Sequence, residues 1–89
     1  MVNVVVNKGT FVIYGSQGCS NCETVKKLLN DKNKPFVYKL FGKDYELEEL
    51  MEILPAPSRS MPQVFHVGAG NVLEYIGGLM EVIRFLKDS

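Results

Sequence analysis

The chain has 89 residues, enough for one domain and too few for a second core. Apolar residues make up 46% and charged residues 22%, and ten basic residues balance ten acidic ones, so nothing in the charge points to nucleic acid or a membrane surface. No apolar run approaches the roughly 20 residues of a membrane span.

The start, MVNVVVNKG, has no basic region and only a short apolar stretch broken by Asn3, unlike a secretory signal, so a cytoplasmic chain is expected. Residues 2–6 have strand composition. A hairpin from them onto the next strand would displace one of that strand's expected neighbours. Residues 1–9 therefore read as an irregular N-terminal extension and residues 10–89 as a single domain.

Residues 10–14 (TFVIY) are β-branched, aromatic and nearly all apolar, which predicts a strand buried on both faces. A loop follows over residues 15–18. A helix comes next, with Ser20 or Asn21 near its N-cap and Val25, Leu28 and Leu29 on one face. It is expected to end near Lys32 and Asn33, short of Pro35. Residues 36–41 predict a second strand, parallel to the first through a right-handed crossover.

A second helix is expected over residues 44–54, where Leu47, Leu50, Met51 and Leu54 form one stripe. Pro55 and Pro57 stop it. Residues 63–67 and 72–76 read as strands joined by a four-residue turn. Gly77 and Gly78 break the second of them. A last helix places Leu79, Val82, Ile83 and Leu86 on one face. The order β-α-β-α-β-β-α predicts an α/β domain with a mixed four-stranded sheet and three helices on both faces.

The chain's two cysteines, Cys19 and Cys22, sit where the first strand hands over to the first helix. A structural disulfide is unexpected in a reducing compartment, and this pair closes too short a loop to stabilise much. Two buried, inert cysteines are the plainer alternative. A helix N-terminus, however, has unpaired N–H groups and a partial positive charge, which favour a thiolate. The thiolate is the nucleophile of disulfide exchange. Two intervening residues in a first helical turn bring the sulfurs within bonding reach. Cys19, on the loop side, is expected to attack, and Cys22, one turn in, to resolve the mixed disulfide. Zinc also uses such pairs but wants four ligands. One pair and a lone His66 argue against a metal, and His66 is given no role.

Three motifs in register extend the pattern. The stretch from Val12, Ile13 and Tyr14 to Cys22, then Met61-Pro62-Gln63-Val64-Phe65, then Tyr75-Ile76-Gly77-Gly78, resembles a glutaredoxin from about residue 10 to 87. The form is similar to small bacteriophage and bacterial members of that family, within the thioredoxin superfamily. The resemblance implies a thioredoxin-like fold, with Cys19 and Cys22 as nucleophilic and resolving cysteines and a redox disulfide between them. It implies a cis bond before Pro62, which presents the Met61 backbone to an extended peptide. Gly77 and Gly78 match the family's pair before the last helix, whose opening N–H groups at Leu79, Met80 and Glu81 would hold the γ-glutamyl carboxylate of glutathione. Arg59 matches a basic position near the glycyl carboxylate. Tyr14, Ser16 and Ser60 complete the implied glutathione and peptide contacts.

The departures concern that groove. Many members have lysine where this chain has Ser16, Pro-Tyr where it has Ser20-Asn21, and an acidic pair where it has Met80-Glu81. They alter the glutathione contacts and leave the thiol chemistry intact.

The expected function is a dithiol reductase of protein disulfides and glutathione mixed disulfides, with glutathione as co-substrate and no tightly bound cofactor. Its partners are then glutathione and disulfide-containing proteins, without nucleic acid or membrane, and the chain is expected to be a monomer. One alternative is a thioredoxin-like electron donor, for example to ribonucleotide reductase, re-reduced by a flavoprotein reductase. A second is a carrier in which two subunits share an iron–sulfur cluster through Cys19 and glutathione, a pattern Ser20 fits. The third is an inactive domain kept for partner binding.

Overall fold

The computed structural model describes residues 8–56, 58 and 60–88. The expectations for residues 2–6 and for Arg59 fall outside that set. Four strands, β1 (Phe11–Gly15), β2 (Phe36–Leu40), β3 (Gln63–Val67) and β4 (Leu73–Gly77), form one sheet in the order β2-β1-β3-β4. β1 runs parallel to β2, with Phe11 opposite Phe36, and antiparallel to β3, with Phe11 opposite His66. β3 and β4 are antiparallel and slip register between Val64 and Phe65. The helices are α1 (Ser20–Asp31), α2 (Leu47–Ile53) and α3 (Leu79–Asp88).

β1 is buried along its whole length because it is a central strand with both faces covered. Its alternation divides the core. Val12 and Tyr14 face Tyr45, Leu50 and Leu54 on the α2 side, with Phe65 and Val67 of β3. Phe11 and Ile13 face Val25 and Leu29 of α1 and Val82 of α3, with Val64 of β3. The expected mixed sheet with helices on both faces is therefore present.

Several boundaries differ from the pattern, each for a local reason. The N-cap of α1 is Cys19 itself, one residue earlier than expected, because its sulfur accepts the Cys22 N–H at 3.1 Å. α2 begins at Leu47 rather than residue 44. Residues 42–44 instead form a turn in which the Asp44 carboxylate accepts the Leu40 N–H at 2.8 Å, and Glu49 then caps the helix by accepting the Glu46 N–H. On α3, Ile83 is 41% exposed while Phe85 packs with Leu79 and Leu86. At 100° per residue, Ile83 lies about 90° from the centre of the stripe that Leu79, Val82, Phe85 and Leu86 define.

Two glycines are tied to the site. Gly77 has φ +130°, and a Cβ there would run into the Glu81 side chain. A Cβ at Gly15 would overlap the Tyr38 ring, so β1 and β2 meet closely just before the cysteine loop.

Candidate active site

Cys19 and Cys22 form a disulfide with their Cα atoms 5.2 Å apart. The strand-to-helix handover explains the pairing. β1 ends at Gly15, Gly18 turns the chain with φ +72°, and α1 starts with Cys19 as its cap. The two sulfurs differ in access. Cys22 is fully buried on the face of α1 that carries Val25 and Leu29, whereas Cys19 is partly exposed at the mouth of the helix. An attacking or attacked sulfur from solvent thus meets Cys19.

The Met61–Pro62 bond is cis. It opens β3 beside a cavity of about 510 Å³. Of the residues expected at a substrate groove, the cavity brings together Ser60, Met61, Pro62, Gly78, Leu79, Met80 and Glu81. Asn21, between the cysteines, lines it as well, so the disulfide loop and the opening of α3 share one hollow. Gly77 is buried one residue behind it. Ser16 lies elsewhere, in a smaller hollow of about 240 Å³ with Phe41, Leu47 and Met61. Tyr14 packs in the core, edge-on to Tyr45 and Phe65.

The floor of the larger cavity is a polar network that the sequence reading did not single out. Gln63 is 4% exposed and fully used: its amide nitrogen donates to the Ser60 carbonyl at 2.8 Å and to the Ser58 hydroxyl at 3.2 Å. Its amide oxygen accepts the Tyr75 hydroxyl at 2.6 Å. Burial, and then the Glu81 charge, push the Tyr75 phenol above its ordinary value, so it remains a donor. The signal in the sequence was a glutamine opening an apolar strand, since a buried amide demands partners. At the opening of α3 the Glu81 carboxylate accepts the Gly78 N–H at 2.9 Å. Among the described residues no group of three or more His, Cys, Asp or Glu is disposed to hold a metal ion, and no helix is long and apolar enough to cross a membrane.

A disulfide between an accessible and a buried cysteine at a helix mouth, on this sheet, defines a thiol–disulfide oxidoreductase of the thioredoxin-like fold. The Glutaredoxin family model matches residues 11–69. The chain belongs to the glutaredoxin family. Glutaredoxin 1 from Francisella tularensis, solved in complex with cacodylate, superposes with a TM-score of 0.66 at 18% identity, over 89% of this chain and 93% of that one. Reduced Escherichia coli glutaredoxin gives a TM-score of 0.70 at 23% identity, over 90% of this chain and 95% of that one. No curated protein sequence matches the chain significantly.

Proposed function

We propose that the chain reduces glutathione mixed disulfides and protein disulfides, cycling between the Cys19–Cys22 disulfide and the dithiol with glutathione as reductant. The observation that carries this reading is the accessible Cys19 and buried Cys22 beside a cavity walled by the cis-proline segment and the opening of α3. In the reduced protein the Cys19 thiolate attacks the substrate disulfide, forms a mixed disulfide and expels the other substrate sulfur as a thiolate. With a protein disulfide, Cys22 then loses its proton and attacks the Cys19 sulfur. Two electrons pass to the substrate, which leaves as a dithiol. Two glutathione molecules return two electrons and leave as oxidised glutathione. With a glutathione mixed disulfide, Cys19 takes the glutathionyl group and a second glutathione removes it.

Glutathione is proposed to lie in the larger cavity. Its cysteine runs along the Met61 backbone and its γ-glutamyl carboxylate meets the N–H groups of Leu79, Met80 and Glu81, where the helix dipole favours an anion. The proposed setting is a cytoplasmic monomer acting on disulfide-containing proteins.

A specific feature favours a second reading. The Glu81 carboxylate already sits on the Gly78 N–H, next to where the glutathione carboxylate would dock. That occupied N–H, with Ser16 and Met80 in place of the family's lysine and first acid, suits a thioredoxin-like donor, for example to ribonucleotide reductase, re-reduced by a flavoprotein reductase. A coupled assay separates the two: turnover with glutathione and glutathione reductase supports the first, and turnover only with a thioredoxin reductase supports the second.

Ser16 supplies a further test. Ser16→Lys is expected to lower the Cys19 pKa and to improve turnover with glutathionylated substrate, because a cation three residues before Cys19 favours its thiolate. An exposed pair is worth about 0.2–1 kcal/mol. Added salt should shrink it, given a screening length of about 10 Å at 0.1 M. Thiolate absorbance against pH measures the shift, and an unchanged pKa and turnover at low salt would show that position 16 does not face the site.

A further inference from the structure

Tyr45 is 3% exposed in the turn before α2, and the chemistry above does not use it. Its ring stands edge-on to Tyr14 and Phe41, with centroids 4.9 and 5.8 Å away. Its hydroxyl ends between two acceptors, one at the end of β1 and one beside the cis-proline. The Gly15 carbonyl oxygen is 3.0 Å away and the Met61 sulfur 3.4 Å. Gly15 is the last residue of β1 before the cysteine loop, and Met61 is the residue before the cis-proline. Burial, then the neighbouring Tyr38 and Tyr14 phenols, push the Tyr45 phenol up to about 12, so it keeps its proton at any physiological pH.

We propose that Tyr45 is a positioning residue for disulfide exchange, its hydroxyl tying the strand that leads into the cysteine loop to the Met61 segment that meets the substrate. The inference rests on the proposed function only in assigning Met61 to substrate contact. Met61 needs such a tie. Its side chain is unbranched and flexible, and besides packing on the core cluster the residue lines both the larger cavity and the smaller hollow. The phenol has one proton, shared between the nearer Gly15 carbonyl and the sulfur, a weaker acceptor, so one hydroxyl holds both.

The geometry also makes the test clean. The Gly15 carbonyl accepts the Phe41 N–H at 2.9 Å as well, so Tyr45→Phe leaves it paired. The ring contacts survive, and no buried polar group is orphaned. What goes is the hydroxyl's bond to Gly15 and, with it, the link to Met61.

The experiment compares wild type with Tyr45→Phe, Met61→Leu and the double variant. With a glutathionylated peptide, Tyr45→Phe should raise KM about three- to tenfold, the scale of one lost hydrogen bond, with kcat within about twofold. The double variant should be no worse than Met61→Leu alone, as expected for residues acting through one contact. Methyl NMR gives a readout independent of turnover. In Tyr45→Phe the Met61 methyl should shift and lose order, while Met51, packed on the same cluster, should not. An equally ordered Met61 methyl would overturn the proposal whatever the kinetics. So would a disordered Met61 with unchanged KM, or effects that multiply in the double variant. If the wild-type chain failed to turn over the peptide, the proposed function would fall, and the methyl measurement would still decide the role of Tyr45.

Discussion

Cys19→Ser is expected to bring disulfide reduction and deglutathionylation down by more than about 10³-fold, to background, as removal of a nucleophile does elsewhere. The reason lies in access and electrostatics together. Cys19 caps α1, where the helix dipole and the Cys22 N–H that its sulfur accepts favour a thiolate. It is also the sulfur that solvent reaches, while Cys22 is fully buried. Cys22→Ser should separate the two activities. It removes the resolving sulfur, so protein-disulfide reduction is lost, but glutathione in solution can still resolve a mixed disulfide on Cys19, and deglutathionylation persists in part. Steady-state assays on the two variants check both statements. Loss of all thiol reactivity in Cys22→Ser alone would reverse the assignment of nucleophile and resolver.

Leu29→Ala is expected to give a large loss of stability. Leu29 is fully buried where α1 meets the sheet, in the cluster formed by Phe11, Ile13, Val25, Val64 and Val82. Truncation removes its transfer energy and leaves a cavity, at a cost of about 2–5 kcal/mol. Small domains have only about 5–15 kcal/mol in total. The melting temperature should fall by roughly 10 °C or more, and urea unfolding should show a lower midpoint with an unchanged slope. The same substitution at Leu28, only partly buried on the rim of this cluster, should cost markedly less. Equal losses at the two positions would mean that burial does not decide the difference.

The sheet was legible in the sequence because each of its strands carries a local signature. The run TFVIY is apolar on both faces, which only a central strand tolerates, and the glycine-rich turn at residues 68–71 joins β3 to β4 as an antiparallel pair. The cysteine pair was legible because spacing and handover coincide. Less legible was whatever depends on a side chain meeting backbone far along the chain. Residues 44–46 carry helix-compatible types, but the Asp44 carboxylate closes a turn on Leu40 and Tyr45 is drawn into the core towards Gly15, so α2 starts late. Ile83 and Phe85 are equally apolar, and only the direction in which α3 crosses the sheet, with Phe85 edge-on to Phe11 at 5.7 Å, selects the second. The Gln63–Tyr75 bond spans the β3–β4 hairpin at its register slip, which composition does not reveal.

The most direct test of the account is to locate the covalent intermediate. Reduced Cys22→Ser and Cys19→Ser proteins are each mixed with a glutathionylated peptide, quenched in acid and mapped by mass spectrometry. The account predicts glutathione bound through a disulfide to Cys19 in the first variant, and no adduct in the second. An adduct on Cys22 in the second variant, with Cys19 left unmodified in the first, would contradict it.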